Sequence, residues 1–312
     1  MTEATHEVPS VAGLARAAAD HPLEIVGRLL DASNAVFFGH LGPTPVAYKP
    51  IRGERPLWDF PTGCLAHRER AAYFLDAAGG FGIIPPTILY DGPAGPGVVQ
   101  WWITDPAALT PADEDELDDH DDAFDDAFDD AETAAEDDDD EETDGYLDEE
   151  EIDDSLFAFV PPGGEAPGWL PVFAGELPDG RPVVFAHADT PELRSVAVLD
   201  AILNNGDRKG SHLRRAPGGY LWGIDHGVSL HTDPKLRTVL WGWAGEPLTT
   251  TDLARVRAVR DALAPGERRA ELAELLTGAE LDALTARVDR LLTERVHPSP
   301  SPGWPAVPWP VL

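Results

Sequence analysis

The sequence predicts an α+β protein of two lobes, interrupted by a long acidic insert that is expected to be disordered. Three observations predict it. Short apolar runs separated by turn residues fill the first hundred positions, the pattern of a small antiparallel sheet with one helix. Helical periodicity dominates beyond residue 190. Between these regions, residues 113–154 hold 27 Asp and Glu with no Lys or Arg, and too few aliphatic side chains to offset chain entropy.

Composition bounds the function. With 312 residues and 43% hydrophobic content, the chain can bury a substantial core. The net charge of −34 resides mostly in the insert, and the remainder carries about −7. That mild acidity, with no basic stripe interleaved with aromatics, excludes a broad nucleic-acid surface. The single Cys64 excludes an intramolecular disulfide framework and a cysteine-based zinc site. A reducing, cytoplasmic location is therefore expected. No apolar run approaches the roughly 18 residues of a membrane span, and the N-terminus lacks a basic region followed by an apolar core.

Residues 1–22 read as a loose leader with a short Ala-rich helix. Residues 23–103 form the first lobe. LEIVGRLLDASNAVFFGHL gives two strands joined at Asp31, Ala32, Ser33 and Asn34, and PVAYKPI gives a third that carries Lys49. HRERAAYFLDAA, from His67, is a helix with Ala71, Phe74, Leu75 and Ala78 on one face, ended by Gly79 and Gly80. IIPPTILY and VVQWWI are two further strands. Residues 104–168 are the insert, with Phe124, Phe128 and Tyr146 as candidate anchors for a protein partner; no EF-hand spacing is present. Residues 169–297 form the second lobe. It opens with a hairpin around Pro178 and Gly180, then a helix capped by Thr190 with Pro191 in its first turn. Three amphipathic helices follow, over 251–263, 267–276 and 279–295. Residues 298–312 are a Pro/Trp-rich tail, extended because Pro cannot continue a helix, and a second candidate partner segment.

The chemistry concentrates between Leu193 and Leu230. There an apolar helix runs into NNGDRKGSH, and WGIDHG follows, so Asp207 and Asp225 stand on loops 18 positions apart. Phosphoryl transfer needs one carboxylate to orient the attacking hydroxyl and another to hold the divalent cation that neutralises the phosphate. A small sheet, a strand lysine, a helix glutamate, a linking strand and two loop aspartates is the order of parts in a kinase-like fold. In that order Lys49 contacts nucleotide phosphates and Glu69 holds Lys49. The backbone of Val99, Gln100 and Trp101 meets the adenine edge, and Ser33 and Asn34 of the DASN turn cover the phosphates. Asp207 is the base, Arg208 a cation beside developing charge, and Asp225 a metal ligand.

The chain resembles the phosphatidylinositol 3-/4-kinase superfamily, most closely its type II phosphatidylinositol 4-kinase branch and related actinobacterial kinase-like proteins. The resemblance rests on VAYKP around Lys49, ERAAYFLD followed by IIPPT around Glu69, VLDAILNNGDR ending at Asp207 and Arg208, IDHG around Asp225, and KLRTVLW at 235–241. It implies a two-lobed protein-kinase-like fold and an ATP-dependent transferase using Mg²⁺ or Mn²⁺. The acceptor it implies is a hydroxyl of a lipid, a protein or a small molecule. Two departures stand out. Where the family places Asn as a second metal ligand, five residues after the base, this chain has His212, which suits Mg²⁺ less well. The DASN turn has no glycine to wrap a phosphate. These departures leave a second expectation, an ATP-binding pseudokinase or interaction module. A third, a metal-dependent hydrolase, would use His187, His212, His226 and His231 with the two aspartates.

Overall fold

A computed structural model describes residues 8–29, 34–55, 57, 60, 64–103, 155–164, 166–177, 179–216 and 218–312. These residues form an α+β protein with antiparallel sheets, and the chain divides into two units. The first unit takes Met1–Tyr73, Ile84–Glu142 and Ala216–Tyr220, and the second takes Phe74–Ile83, Thr143–Arg215 and Leu221–Leu312.

In the first unit, helix α1 (Val11–Asp20) starts at Ser10, whose hydroxyl accepts the Gly13 N–H at 3.0 Å. The strands β1 (Leu23–Arg28), β2 (Phe37–Leu41), β3 (Thr44–Pro50), β4 (Thr87–Gly92) and β5 (Gly95–Trp101) build one antiparallel sheet in the order β1-β2-β3-β5-β4. Leu14, Leu23, Phe37, Leu41, Val46, Tyr48 and Val99 pack into a single core. Tyr48 crosses it to donate its hydroxyl to the Gly95 carbonyl at 2.5 Å, and burial pushes its phenol up to about 12. Helix α2 (Leu65–Gly79), which belongs to this unit as far as Tyr73, begins at the Glu54 carboxylate, which accepts the N–H groups of Leu65 and Ala66, each at 2.8 Å. An anion there satisfies donors that the helix itself leaves unpaired. Asp31 to Ser33, the expected turn, lie outside the described residues.

The second unit holds the sheet β6-β8-β7, from β6 (Phe157–Val160), β7 (Trp169–Glu176) and β8 (Pro182–Ala188). Strand β6 forms inside the stretch that composition assigned to the insert. The reason is local: Leu156 and Phe157 are buried, and Phe157 stacks on Phe185 with ring centroids 5.7 Å apart. The acidic residues 104–154, with Phe124, Phe128 and Tyr146, lie outside the described residues. Helix α3 (Pro191–Leu203) starts as expected, with the Thr190 hydroxyl accepting the Leu193 N–H at 3.3 Å. The short strands β9 (Leu213–Arg215) and β10 (Leu221–Gly223) pair antiparallel. Helices α4 (Thr250–Ala262), α5 (Glu267–Ala273) and α6 (Gly278–Glu294) follow, and α4 and α6 each open with a reciprocal capping box, Thr249 with Asp252 and Thr277 with Glu280. No helix among the described residues is long and apolar enough to cross a membrane.

The tail is extended, as its prolines dictate, yet it is part of the second unit's fold. The Ala306 carbonyl accepts the Thr238 N–H at 3.1 Å and the Trp241 indole N–H at 2.7 Å, and the Val311 carbonyl accepts the Gly210 N–H at 2.8 Å. Trp304 donates its indole N–H to the Lys235 carbonyl at 3.1 Å and lies under the Lys235 ammonium, 4.7 Å from the ring centroid. Backbone groups that a proline-rich segment cannot pair within itself are paired here with loops.

Candidate functional site

In the first unit, β3 and α2 bring Lys49 and Glu69 together. The Lys49 ammonium donates to Glu69 Oε1 at 2.9 Å, with side chains 18% and 5% exposed. The arginines that flank Glu69 in sequence turn elsewhere: Arg68 lies over the Phe60 ring and Arg70 over the Tyr73 ring. Glu69 Oε2 is buried without a hydrogen bond.

Strand β5 lies between β3 and β4, with Val99 opposite both Tyr48 and Ile88 and Gln100 opposite both Ala47 and Thr87. Its backbone donors and acceptors are committed to two ladders, so Val99 and Gln100 offer no free edge to an adenine ring. The Gln100 amide donates to the Thr87 hydroxyl at 2.9 Å, and the Trp101 N–H goes to the Pro86 carbonyl. Asn34 uses its side-chain carbonyl to accept the Arg55 N–H at 2.8 Å. Ser33 lies outside the described residues.

In the second unit, α3 ends at Asn204, in the left-handed region with φ 55°, and delivers two asparagines to the loop that follows. The Asn204 side chain grips the segment beyond Asp225, donating to the carbonyls of His231 and Asp233 and accepting the Lys235 N–H. Asn205 donates to Asp200 at 2.9 Å and accepts the Asp207 N–H at 3.0 Å. The Asp207 backbone is thereby fixed from the helix side. Its carboxylate, 3.7 Å from the Lys209 ammonium, is raised above the usual carboxylate range. Burial is the main cause, opposed by Lys209, Arg237 and Arg208 and reinforced by Asp225. Asp207 and Asp225 thus lie within each other's electrostatic reach.

Arg208 forms an internal clasp. It is wholly buried, as is Asp200, to which its Nε donates at 3.0 Å. Its Nη1 donates to the carbonyls of His212 and Ile224, each at 3.2 Å, and its Nη2 lies 2.6 Å from His226 Nε2. One guanidinium therefore joins α3, the Asp207 loop and the Asp225 loop. Asp200 and His226 were not expected in this role. The signal was there for Asp200, a lone acid within the apolar run VLDAIL, since a buried carboxylate requires a partner.

His212 is held by its own carbonyl, which accepts both from Arg208 and from the Ile224 N–H. Its imidazole is held down to about 4, mainly by burial and further by Arg208 and Lys209, against the opposite pull of Asp225 and of a hydrogen bond with the Asp207 backbone. The ring is neutral at pH 7, and Nε2 stands 3.8 Å from Asp225 Oδ2. Asp225 itself has φ 55°, in the left-handed region that aspartate adopts more readily than most residues with a side chain.

The remaining histidines do not join them. His187 accepts the Gly242 N–H at 3.1 Å, with Nδ1 3.0 Å from the Ala188 carbonyl, and burial holds it down to about 4. His231 Nδ1 accepts the Asp233 N–H. Among the described residues no group of three or more His, Cys, Asp or Glu is gathered to hold a metal ion, so the multi-histidine hydrolase centre has no counterpart there.

Protein Rv2133c of Mycobacterium tuberculosis is 38% identical to this chain over 298 residues, covering 94% of each protein. No family model matches the chain, and no solved structure matches it.

Proposed function

The chain belongs to the same family as Protein Rv2133c, and for this member we propose an ATP-dependent phosphotransferase of two-lobed, kinase-like architecture, acting on a hydroxyl acceptor. The observation that carries the proposal is the Arg208 clasp, which fixes the Asp207 and Asp225 loops against one helix in the manner that a base and a metal-holding carboxylate require. The Lys49–Glu69 ion pair in the first unit supports it as a phosphate contact.

Asp207 orients the acceptor hydroxyl and takes its proton as the new oxygen–phosphorus bond forms and the bond from the γ-phosphorus to the bridging oxygen of ADP breaks. Its raised affinity for a proton suits a base. A divalent cation held by Asp225, with His212 beside it, supplies neutralisation of phosphate charge when bound. Lys209 lies within reach of charge at Asp207, while Arg208 contributes rigidity.

The test is label transfer from γ-labelled ATP to components of a cell extract by the purified chain, with the product identified by mass spectrometry. Asp207→Ala should lower transfer by about 100-fold or more while ATP still raises the melting temperature. Transfer equal to the parent's would remove Asp207 from its role. Nucleotide stabilisation without transfer by the parent would select an ATP-binding module instead, the alternative that His212 favours.

A further inference from the structure

We propose that Arg237 and Lys209 form an anion site beside Asp207, shaped for a phosphate group, with Trp304 of the proline-rich tail as the shelf that sets the Arg237 guanidinium. The site stands on geometry within the second unit. Only the use of its anion, as part of a transferase substrate, rests on the phosphotransferase reading.

Arg237 is fixed along its whole length. Its N–H donates to the Asn205 carbonyl at 2.9 Å and its carbonyl accepts the Arg208 N–H at 3.1 Å, so its backbone brackets the Asp207 loop. Its Nε donates to the Gly206 carbonyl. The guanidinium lies over the Trp304 ring, 5.6 Å from the centroid, and the Trp304 indole is itself tied to the Lys235 carbonyl. Stacking occupies the face of a guanidinium and leaves its edge for in-plane hydrogen bonds. Nε uses part of that edge, and the two Nη groups have no hydrogen-bond partner among the described residues. By contrast, Arg208 and Arg287 spend Nη1 on backbone carbonyls, and Arg255 spends its own on the Ser195 hydroxyl.

The charges point the same way. The Lys209 ammonium stands 3.7 Å from Asp207 Oδ2, beyond hydrogen-bonding distance, with its side chain 21% exposed. Arg237 acts on the same carboxylate from further off. Two cations, neither hydrogen-bonded to a carboxylate, thus flank Asp207. A phosphate group satisfies both, because its oxygens match the planar guanidinium fork and leave one for an ammonium.

The experiment uses the full chain and inorganic phosphate as probe, titrated by calorimetry at low ionic strength. The parent should bind phosphate at millimolar concentration, and Arg237→Gln, checked for folding by circular dichroism, should weaken binding by about tenfold or more. Trp304→Ala should weaken it by about threefold or more, and Trp304→Phe should restore it, since an aromatic face is what the shelf supplies. Arg257→Gln, at an exposed position of α4, should change nothing. No phosphate binding by the parent overturns the proposal, as does an unchanged affinity in Arg237→Gln or an equal loss in Arg257→Gln. Should Arg237→Gln not fold, Lys209→Gln decides by the same measure. A non-transferable ATP analogue then names the source of the anion. Displacement of phosphate by the analogue, whose own affinity falls in Arg237→Gln, assigns the site to the nucleotide, and phosphate bound alongside the analogue assigns it to the acceptor. Arg237-dependent phosphate binding without transfer would keep this site and remove the phosphotransferase. Transfer by a parent that binds no phosphate here would do the reverse.

Discussion

The Lys49–Glu69 pair of the first unit and the Asp200–Arg208 pair of the second are both lysine- or arginine-to-carboxylate contacts at about 3 Å, and they differ in what surrounds them. Glu69 keeps one oxygen buried and unpartnered, and the Lys49 side chain is 18% exposed. Asp200 and Arg208 are fully enclosed, with Asn205, His226 and two carbonyls satisfying the rest of the network. A fully enclosed network with its partners in place defines a structure, while a pair with one partly exposed partner can exchange partners with a ligand.

Removing one side of the enclosed pair should therefore have the largest effect. Arg208→Met leaves the Asp200 charge buried and should cost about 3–5 kcal/mol of stability, and Asp200→Leu a similar amount. The double variant should recover much of that loss, because apolar replacements of similar volume carry no unpaired charge. Urea unfolding measures all three. Losses below about 1 kcal/mol for the single variants would mean that water reaches the clasp.

A middle-sized effect is expected where the tail meets the same loop. A Cβ at Gly210 would lie 2.5 Å from Leu312 Cδ2 and 3.3 Å from the Phe157 ring. Gly210→Ala should cost about 1–3 kcal/mol through overpacking, and adding Leu312→Ala should relieve part of it. Thermal unfolding of the pair decides: a neutral Gly210→Ala would show that the Leu312 side chain turns away at no cost.

The smallest change in stability belongs to Lys49→Met, about 1–2 kcal/mol, because it leaves the nearly buried Glu69 carboxylate without its ammonium while the Lys49 side chain, 18% exposed, lies closer to solvent than Arg208. Its effect should instead appear in nucleotide binding, measured by the ATP-dependent shift in melting temperature. A stability loss as large as that of the Arg208 variant would erase the distinction between the two regions.

Several elements were legible because their signals are local. Thr190 followed by Pro191 marks a helix start in any context, and Ala71, Leu75 and Ala78 mark a helical face. The order of Lys49, Glu69, Asp207 and Asp225 was equally visible, as were the strands around Lys49. The clasp of Arg208 was not legible because sequence gives a residue's neighbours along the chain, and its partners are four to eighteen positions away on three elements. A run of apolar residues reads the same at the edge of a sheet as inside one, and only the placement of β5 between β3 and β4 shows that the backbone of Val99 and Gln100 is flanked on both sides.

By itself, the sequence determined the α+β class, the element boundaries marked by caps and turns, and the residue types available for chemistry. These depend on periodicity and on hydrogen bonds within a few residues. Only the tertiary structure decided that Glu69 chooses Lys49 over its flanking arginines, that Asp200 and His226 share Arg208, and that the proline-rich tail closes over Gly210 and Thr238. Each of these satisfies a buried charge or an unpaired backbone group with a partner distant in the chain. Desolvation makes such partners obligatory but does not say where in the sequence they come from.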